Sequence, residues 1–306
     1  MTMAITKDIK RRIKSITNTK KVTKAMEMVA AAKMRKAVNN VLASRNYATL
    51  AWDLVRNLAA KTESRYHPLL ETKEEIRKIA LVLITSNRGL CGGFNSQIVQ
   101  RTVEYIKKQE AKERIIDLII LGKKGGDFTA KRGYNLIAQF EKLDITTNIV
   151  EIRPLAKLLI EDFIRGKYDR VVLAYTDFIS TLAQKPRILE LLPIIEEVRD
   201  KDFGEKRPIT DNQLPNKLTT SFEYIFEPSP GEVLNELLPR LIEMQIYRAI
   251  LESDASEHSA RMVAMRNASD AASEMIDDLT LVFNKARQSS ITAELADISG
   301  GRAALE

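Results

Sequence analysis

The chain has 306 residues, 44% hydrophobic and 29% charged, with a formal net charge of +7. That balance is ordinary for a chain that buries a core, in one large domain or two small ones. It excludes a membrane-crossing helix, because no apolar run approaches the ~20 residues that a bilayer requires.

Cys91 is the only cysteine, so no internal disulfide or dithiol switch can form, and a reducing compartment fits. His67 and His258 lie far apart and give no zinc-ligand spacing. No apolar segment follows the first basic residues. The start therefore reads as neither a signal peptide nor a transit peptide, and the expectation is a protein that stays where it is made. The charge is uneven. Residues 1–36 carry eleven Lys and Arg against Asp8 and Glu27, whereas residues 232–299 carry twelve acids against six bases. The two ends of the chain are thus charge-complementary, with positive charge left over for an acidic partner. Nucleic acid is disfavoured as that partner, since residues 1–36 hold no aromatic residue and no reading motif.

Two stretches, residues 1–67 and 240–299, contain none of the twelve glycines and none of the nine prolines. Such runs, rich in Ala, Leu, Met, Glu, Lys and Arg, predict helices. A 60-residue helix is ~90 Å long at 1.5 Å per residue, against a diameter near ~50 Å for a compact chain of this size. At least one helix is therefore expected to project.

The first helix is predicted over residues 5–61. Its apolar positions Ile5, Ile9, Ile13, Ile16, Val22, Met26, Val29, Met34, Val38, Val41, Tyr47, Leu50, Leu54 and Leu58 recur mostly at steps of three and four. Ala30, Ala31 and Ala32 at its centre permit close approach of a neighbouring helix. The helix should end before Pro68, because the residue preceding proline resists the α conformation.

The middle of the chain changes period. Near-continuous apolar runs at 78–84, 115–121 and 170–175 predict strands covered on both faces. Further strands are predicted at 134–140, 188–194 and 222–226, and helices at 95–111 and 153–165. This alternation argues for a small α/β domain with a largely parallel sheet. Glycine-rich turns follow the first two strands, at 89–93 and 122–126. Backbone N–H groups in such turns can cradle a phosphate. Neither turn has the dinucleotide fingerprint or the Gly-Lys-Ser/Thr of a P-loop, so tight strand–helix connections are the favoured reading. Cys91 has no candidate base nearby and reads as a buried structural thiol.

Residues 200–217 are polar and read as a surface loop. Pro228, Pro230 and Gly231 then introduce the last helix, with Pro239 in its first turns as a potential kink. That helix carries a seam of Leu251, Ala255, His258, Met262, Met265, Ser269, Ala272, Ile276, Leu279, Phe283 and Ala286, with steps alternating between four and three. Sustained spacing of this kind predicts a left-handed coiled coil. The simplest arrangement pairs the two ends of the chain in one coil beside the α/β domain. The expected domains are 1–62 and 230–306 for the coil helices and 76–227 for the α/β part. No catalytic, cofactor-binding or metal-binding residue stands out, so these patterns point to a structural or interaction protein before an enzyme.

Four stretches carry a family resemblance: residues 20–37 (KKVTKAMEMVAAAKMRKA), 86–95 (SNRGLCGGFN), 259–265 (SARMVAM) and 284–295 (NKARQSSITAEL). In this order, nearly end to end, they resemble the γ subunit of F-type ATP synthase of the bacterial type. Asn87 stands where that family often has Asp, and Arg302 where Ala is common. The 200–217 loop is longer than in the simplest bacterial members. The two-cysteine insert of chloroplast members is absent.

The resemblance implies a long antiparallel two-helix coiled coil from the N- and C-termini plus a Rossmann-like α/β domain. It also implies the role of a central rotor shaft. The coil would enter a ring of α and β subunits, and the α/β domain would sit at the foot with the ε subunit and the membrane c-ring. Ion-driven rotation of that ring would turn the shaft, and its asymmetry would give three β subunits three conformations. Switching one site from 1:99 to 99:1 takes ~5.5 kcal/mol of preference, within reach of a few packed contacts and charged hydrogen bonds. By motif, Arg287 and Gln288 would contact a β loop, with Thr292 and Glu294 beside them. Met26 and Arg261 would face another β region. None would be catalytic, and no cofactor is implied. The expected location is peripheral, on the cytoplasmic side of a bacterial cell membrane. The alternative is a nucleotide-binding α/β regulatory protein with a coiled-coil arm. A dimeric coiled-coil scaffold is a third reading, against which the intramolecular coil argues.

Overall fold

The computed structural model describes residues 2–61, 67–73, 75–130, 132–142, 148–194 and 230–303. Side chains are described for these except at 2–5, 44–61, 230, 297 and 300–303. The expected strand at 222–226, the loop at 200–217 and the side chains of Ile5, Tyr47, Leu50, Leu54 and Leu58 lie outside that set. The chain forms α1 (Thr2–Lys61), β1 (Lys78–Ile84), α2 (Phe94–Glu110), β2 (Ile115–Leu121), α3 (Lys123–Ala130), β3 (Leu136–Phe140), α4 (Arg153–Ile164), β4 (Arg170–Phe178), β5 (Gln184–Leu192) and α5 (Pro230–Ala303). It divides into two compact units, one of residues 1–32, 90–92 and 258–306, the other of 33–89 and 93–257.

The second unit is built on a five-stranded sheet of order β3-β2-β1-β4-β5. The first four strands run parallel, and β5 closes the sheet as an antiparallel edge. Parallel strands need covered faces, and the sequence supplies them. On β1, Ala80, Val82 and Ile84 point into one apolar cluster with Leu155, Leu159 and Phe163 of α4 and Leu238, Ile242 and Ile246 of α5. The intervening Leu81 and Leu83 point into a second cluster with Ile98 and Ile106 of α2. Each fully buried Leu or Ile contributes roughly 1.5–3 kcal/mol. Pro186 lies in β5, where a missing N–H is tolerated because the strand is an edge.

Local chemistry fixes the ends of these elements. The Asp169 carboxylate accepts from Lys73 Nζ at 2.7 Å and from the backbone N–H groups of Arg77 and Lys78 at 2.9 and 2.8 Å. It thereby ties the start of β1 to the start of β4. Asn148 caps a short 3₁₀ turn, Ile149–Ile152, by accepting from the Val150 N–H. Pro154 then stands in the first turn of α4, where its missing donor costs nothing.

Helix α3 falls where two glycines suggested only a turn. Its glycines answer to packing. A Cβ on Gly125 would meet Ile120 Cγ2 at 2.8 Å and Thr85 Oγ1 at 3.0 Å. Gly125 donates its N–H to that same Thr85 oxygen at 2.9 Å. Gly122, at φ +103°, lies against the Thr85 carbonyl, where only glycine fits. The last helix continues through Pro239 without a break.

Candidate functional site

The first unit contains the early part of α1 and the late part of α5. Residues of α1 before 33 belong with residues of α5 after 257, and those after 32 belong with those before 258. The two helices therefore run antiparallel. On α5 every seam position from Leu251 to Ala286 is buried or half-buried, as the alternating steps of four and three require, and Ser290 continues the series.

On α1 the predicted positions Ile9, Ile13, Ile16, Met26, Met34, Val38 and Val41 are half-buried, and the seam departs from the apolar spacing at two places. Val22 and Val29 are 58% and 56% exposed, while Thr23, Glu27 and Ala30 are buried. The physical reason is size and charge. Ala30 lets the helix backbones come close, and Glu27 is drawn to a cation on the partner helix. Its Oε1 accepts from Arg266 Nε at 3.1 Å, and its Oε2 from Lys24 Nζ at 2.9 Å. The Lys24 hydrogen bond holds the Glu27 carboxyl below its usual pKa, burial opposes this, and Arg266 adds to it.

Loop residues 90–92 pack in the same unit. Cys91 is buried, and a Cβ on Gly92 would lie 3.9 Å from the Ala260 carbonyl oxygen. The flanking residues bond to one another. Ser86 N–H donates to Asn95 Oδ1 at 3.1 Å, Asn95 Nδ2 donates to Ser86 Oγ at 2.7 Å, and Ser86 Oγ donates to the Arg88 carbonyl at 2.7 Å. The turn is thus a packed connection.

The site residues named by motif fall into two zones. Met26 and Arg261 are half-buried, near the level where Glu27 meets Arg266, and Arg261 Nη1 lies 3.2 Å from His258 Nδ1. Arg287, Gln288, Thr292 and Glu294 are exposed, about 39 Å further along α5 at 1.5 Å per residue. Thr292 Oγ1 donates to the Gln288 carbonyl at 3.0 Å, and Ser290 Oγ donates to Glu294 Oε1 at 3.4 Å. Around this second zone Leu281, Val282, Ile291, Leu295 and Ile298 are also exposed. Seam spacing could have found these five, since none sits on the four-three series. An exposed surface of apolar and charged side chains on a helix pair is suited to contact with protein. Among the described residues, no group of three or more His, Cys, Asp or Glu could hold a metal ion, and no helix is long and apolar enough to cross a membrane.

This fold, an antiparallel pair of terminal helices with an α/β sheet domain between them in sequence, defines a class of coiled-coil α/β protein, and comparison gives the family. A family profile described as "ATP synthase" matches residues 5–305. The ATP synthase gamma chain of Chloroflexus aurantiacus is 42% identical over 305 residues, 99% of each chain. That of Pelotomaculum thermopropionicum is 44% identical over 300 residues, 98% of this chain and 99% of the relative. Among solved structures, the central stalk and c-ring of Tetrahymena thermophila mitochondrial ATP synthase contains a chain of 27% identity and TM-score 0.58, covering 81% of this chain and 99% of its own length. A chain of Euglena gracilis mitochondrial ATP synthase shares the fold at TM-score 0.64 and 21% identity, covering 99% and 95%. The chain belongs to the ATP synthase gamma chain family. A gamma chain is a non-catalytic subunit, and catalysis resides in the beta subunits.

Proposed function

We propose that this chain is the central rotor shaft of an F-type ATP synthase. Its paired helices enter a ring of α and β subunits, and its α/β domain meets the ε subunit and the c-ring. The domains are then 1–62 and 230–306 for the shaft and 76–227 for the foot. The observation that carries this reading is end-to-end identity of 42–44% to gamma chains. The small-residue seam suits the role. Ala30, Ser269 and Ala272 are small buried positions among the larger Met265, Leu279 and Phe283, and they keep that part of the coil slim. Deep knobs or strong ion pairs aimed outward would trap a shaft that must pass three equivalent β subunits.

Arg287, Gln288, Thr292 and Glu294 contact the ring in one zone, and Met26 and Arg261 in another. The chain reaches the membrane only through the c-ring, on the cytoplasmic face of a bacterial membrane. The test is reconstitution with purified α and β subunits. One copy of this chain per three β subunits, with faster ATP hydrolysis, is the expected result. A chain that stays apart and leaves hydrolysis unchanged would overturn the reading.

A further inference from the structure

Residues 249–257 of α5 are buried without interruption, so the helix is enclosed on every side there. Helices enclosed on all sides are ordinarily apolar all round. This one carries Glu252, Ser253, Asp254, Ser256 and Glu257 in that span. Ser253 Oγ is buried without a hydrogen-bond partner, and the partners of the others fall in two places. Lys142, just beyond β3 and itself 4% exposed, places Nζ 2.7 Å from Asp254 Oδ1 and 2.6 Å from Glu257 Oε2. Ser256 Oγ donates to the Thr176 carbonyl of β4 at 3.2 Å, one turn from Glu252, which accepts from Arg248 Nε at 2.9 Å. At 3.6 residues per turn, Glu252 and Ser256 lie on one side of the helix, and Asp254 and Glu257 lie roughly opposite. Strands β3 and β4 are both parallel members of the sheet, so the two grips come from its C-terminal edge.

Buried ion pairs rarely beat apolar packing in stability, and their best-attested use is to fix register. Apolar contact is non-directional, whereas hydrogen-bonded charges are fixed in direction. Lys142 is itself held from behind. Asn87 Nδ2 donates to its carbonyl oxygen, and Asn87 Oδ1 accepts from the Lys123 N–H at 3.2 Å. A carboxylate at position 87 could only accept. Burial alone would push the Lys142 ammonium down in pKa, but the two carboxylates outweigh it and the pKa is raised, so the cation persists.

We infer that Lys142, Asp254, Glu257 and Ser256 form a clamp that fixes the rotation of α5 about its own axis relative to the sheet. These are positioning residues. The inference rests on the rotor reading: torque applied to the α/β domain reaches the helix without slip because the clamp is directional on two sides.

The test uses the full chain in a reconstituted complex, with an optical probe on the surface of the α/β domain and the shaft held in the α and β ring. The triple variant Lys142→Met, Asp254→Leu, Glu257→Met replaces the charges with apolar volume. The inference expects unchanged thermal stability and an angular variance that rises about twofold, the result if the clamp supplies half of the restoring stiffness. Unchanged variance in the assembled variant would overturn it. If the triple variant does not assemble, Glu257→Gln decides on the same criterion: a higher variance supports the clamp, and an unchanged one overturns it. A wild-type complex that never turns would overturn the rotor reading and with it the clamp's role. That failure is recognised in the wild-type arm alone.

Discussion

Glu27 and Arg266, 239 positions apart in the chain, meet across the two terminal helices, carboxylate Oε1 to guanidinium Nε at 3.1 Å. The acid is buried, while the Arg266 and Lys24 side chains are 58% and 56% exposed. The pair thus sits at the border of the seam, where water reaches the cations but not the carboxylate.

Replacing Glu27 with Gln should lower the melting temperature at neutral pH. The folded carboxyl has a depressed pKa. Its contribution is therefore complete above the ordinary value of ~4.3 and is lost as pH falls through the folded value. Melting curves of wild type and variant should accordingly differ at pH 7 and converge only once the pH has fallen below the depressed folded value. A gap that persists at low pH would mean that the variant loses packing and not charge.

Ala30→Leu tests where the α1 seam runs. Ala30 is 1% exposed, and a larger side chain there should force the helices apart at ~1–3 kcal/mol. Val29→Ala, one residue away at 56% exposed, should change stability by less than ~0.5 kcal/mol. Chemical denaturation of both variants checks the contrast.

Much of this was legible in the chain. The α5 seam follows its spacing because Leu251, Met262, Met265 and Phe283 recur at alternating steps of four and three, which bring them to one face of the helix. Strands β1 and β2 carry their predicted bounds, since an unbroken run such as Leu81-Val82-Leu83-Ile84 has to be covered on both sides. On α1, Val22 and Val29 misled because apolar spacing does not register what Glu27 gains from a cation 239 positions away. Helix α3 was hidden because Gly125 and Gly126 are poor helix formers, and their close contacts with Thr85 and Gln139 are tertiary facts. Lys142 gave no signal at all, since its carboxylates lie on another element. Arg287 and Gln288 were legible only through family resemblance.

Gly122→Ala should destabilise the α/β domain by more than ~2 kcal/mol. The φ of +103° is strained for an L residue, and the new Cβ would meet the Thr85 carbonyl oxygen at 2.3 Å. A lower denaturation midpoint is the expected result. Gly133→Ala, where a Cβ meets nothing within 4 Å but φ is +70°, should cost less.

Glu252→Gln should flatten the fall in stability as pH rises above the ordinary carboxylate range. Burial raises the Glu252 carboxyl, Arg248 opposes this, and the neighbouring Asp177 adds to the rise. A raised acid gives stability that is complete below its unfolded value of ~4.3 and declines as pH rises through the folded value. Thermal melts followed upward in pH from that unfolded value should therefore fall less steeply in the variant than in wild type.

Arg287→Ala together with Gln288→Ala should lower coupled ATP turnover while leaving the fold intact. Both side chains are exposed, and alanine is the best helix former, so α5 should tolerate the change. Circular dichroism together with ATPase and synthesis assays on the assembled complex separates the two effects. Unchanged turnover would count against these residues as ring contacts.

The most direct test of the rotor account is to watch the chain turn. A probe fixed to the α/β domain, in a complex whose β subunits are anchored to a surface, should rotate in one direction with ATP. It should pause three times per turn, once for each β subunit. A probe that stays still while the same complexes hydrolyse ATP would contradict the central claim.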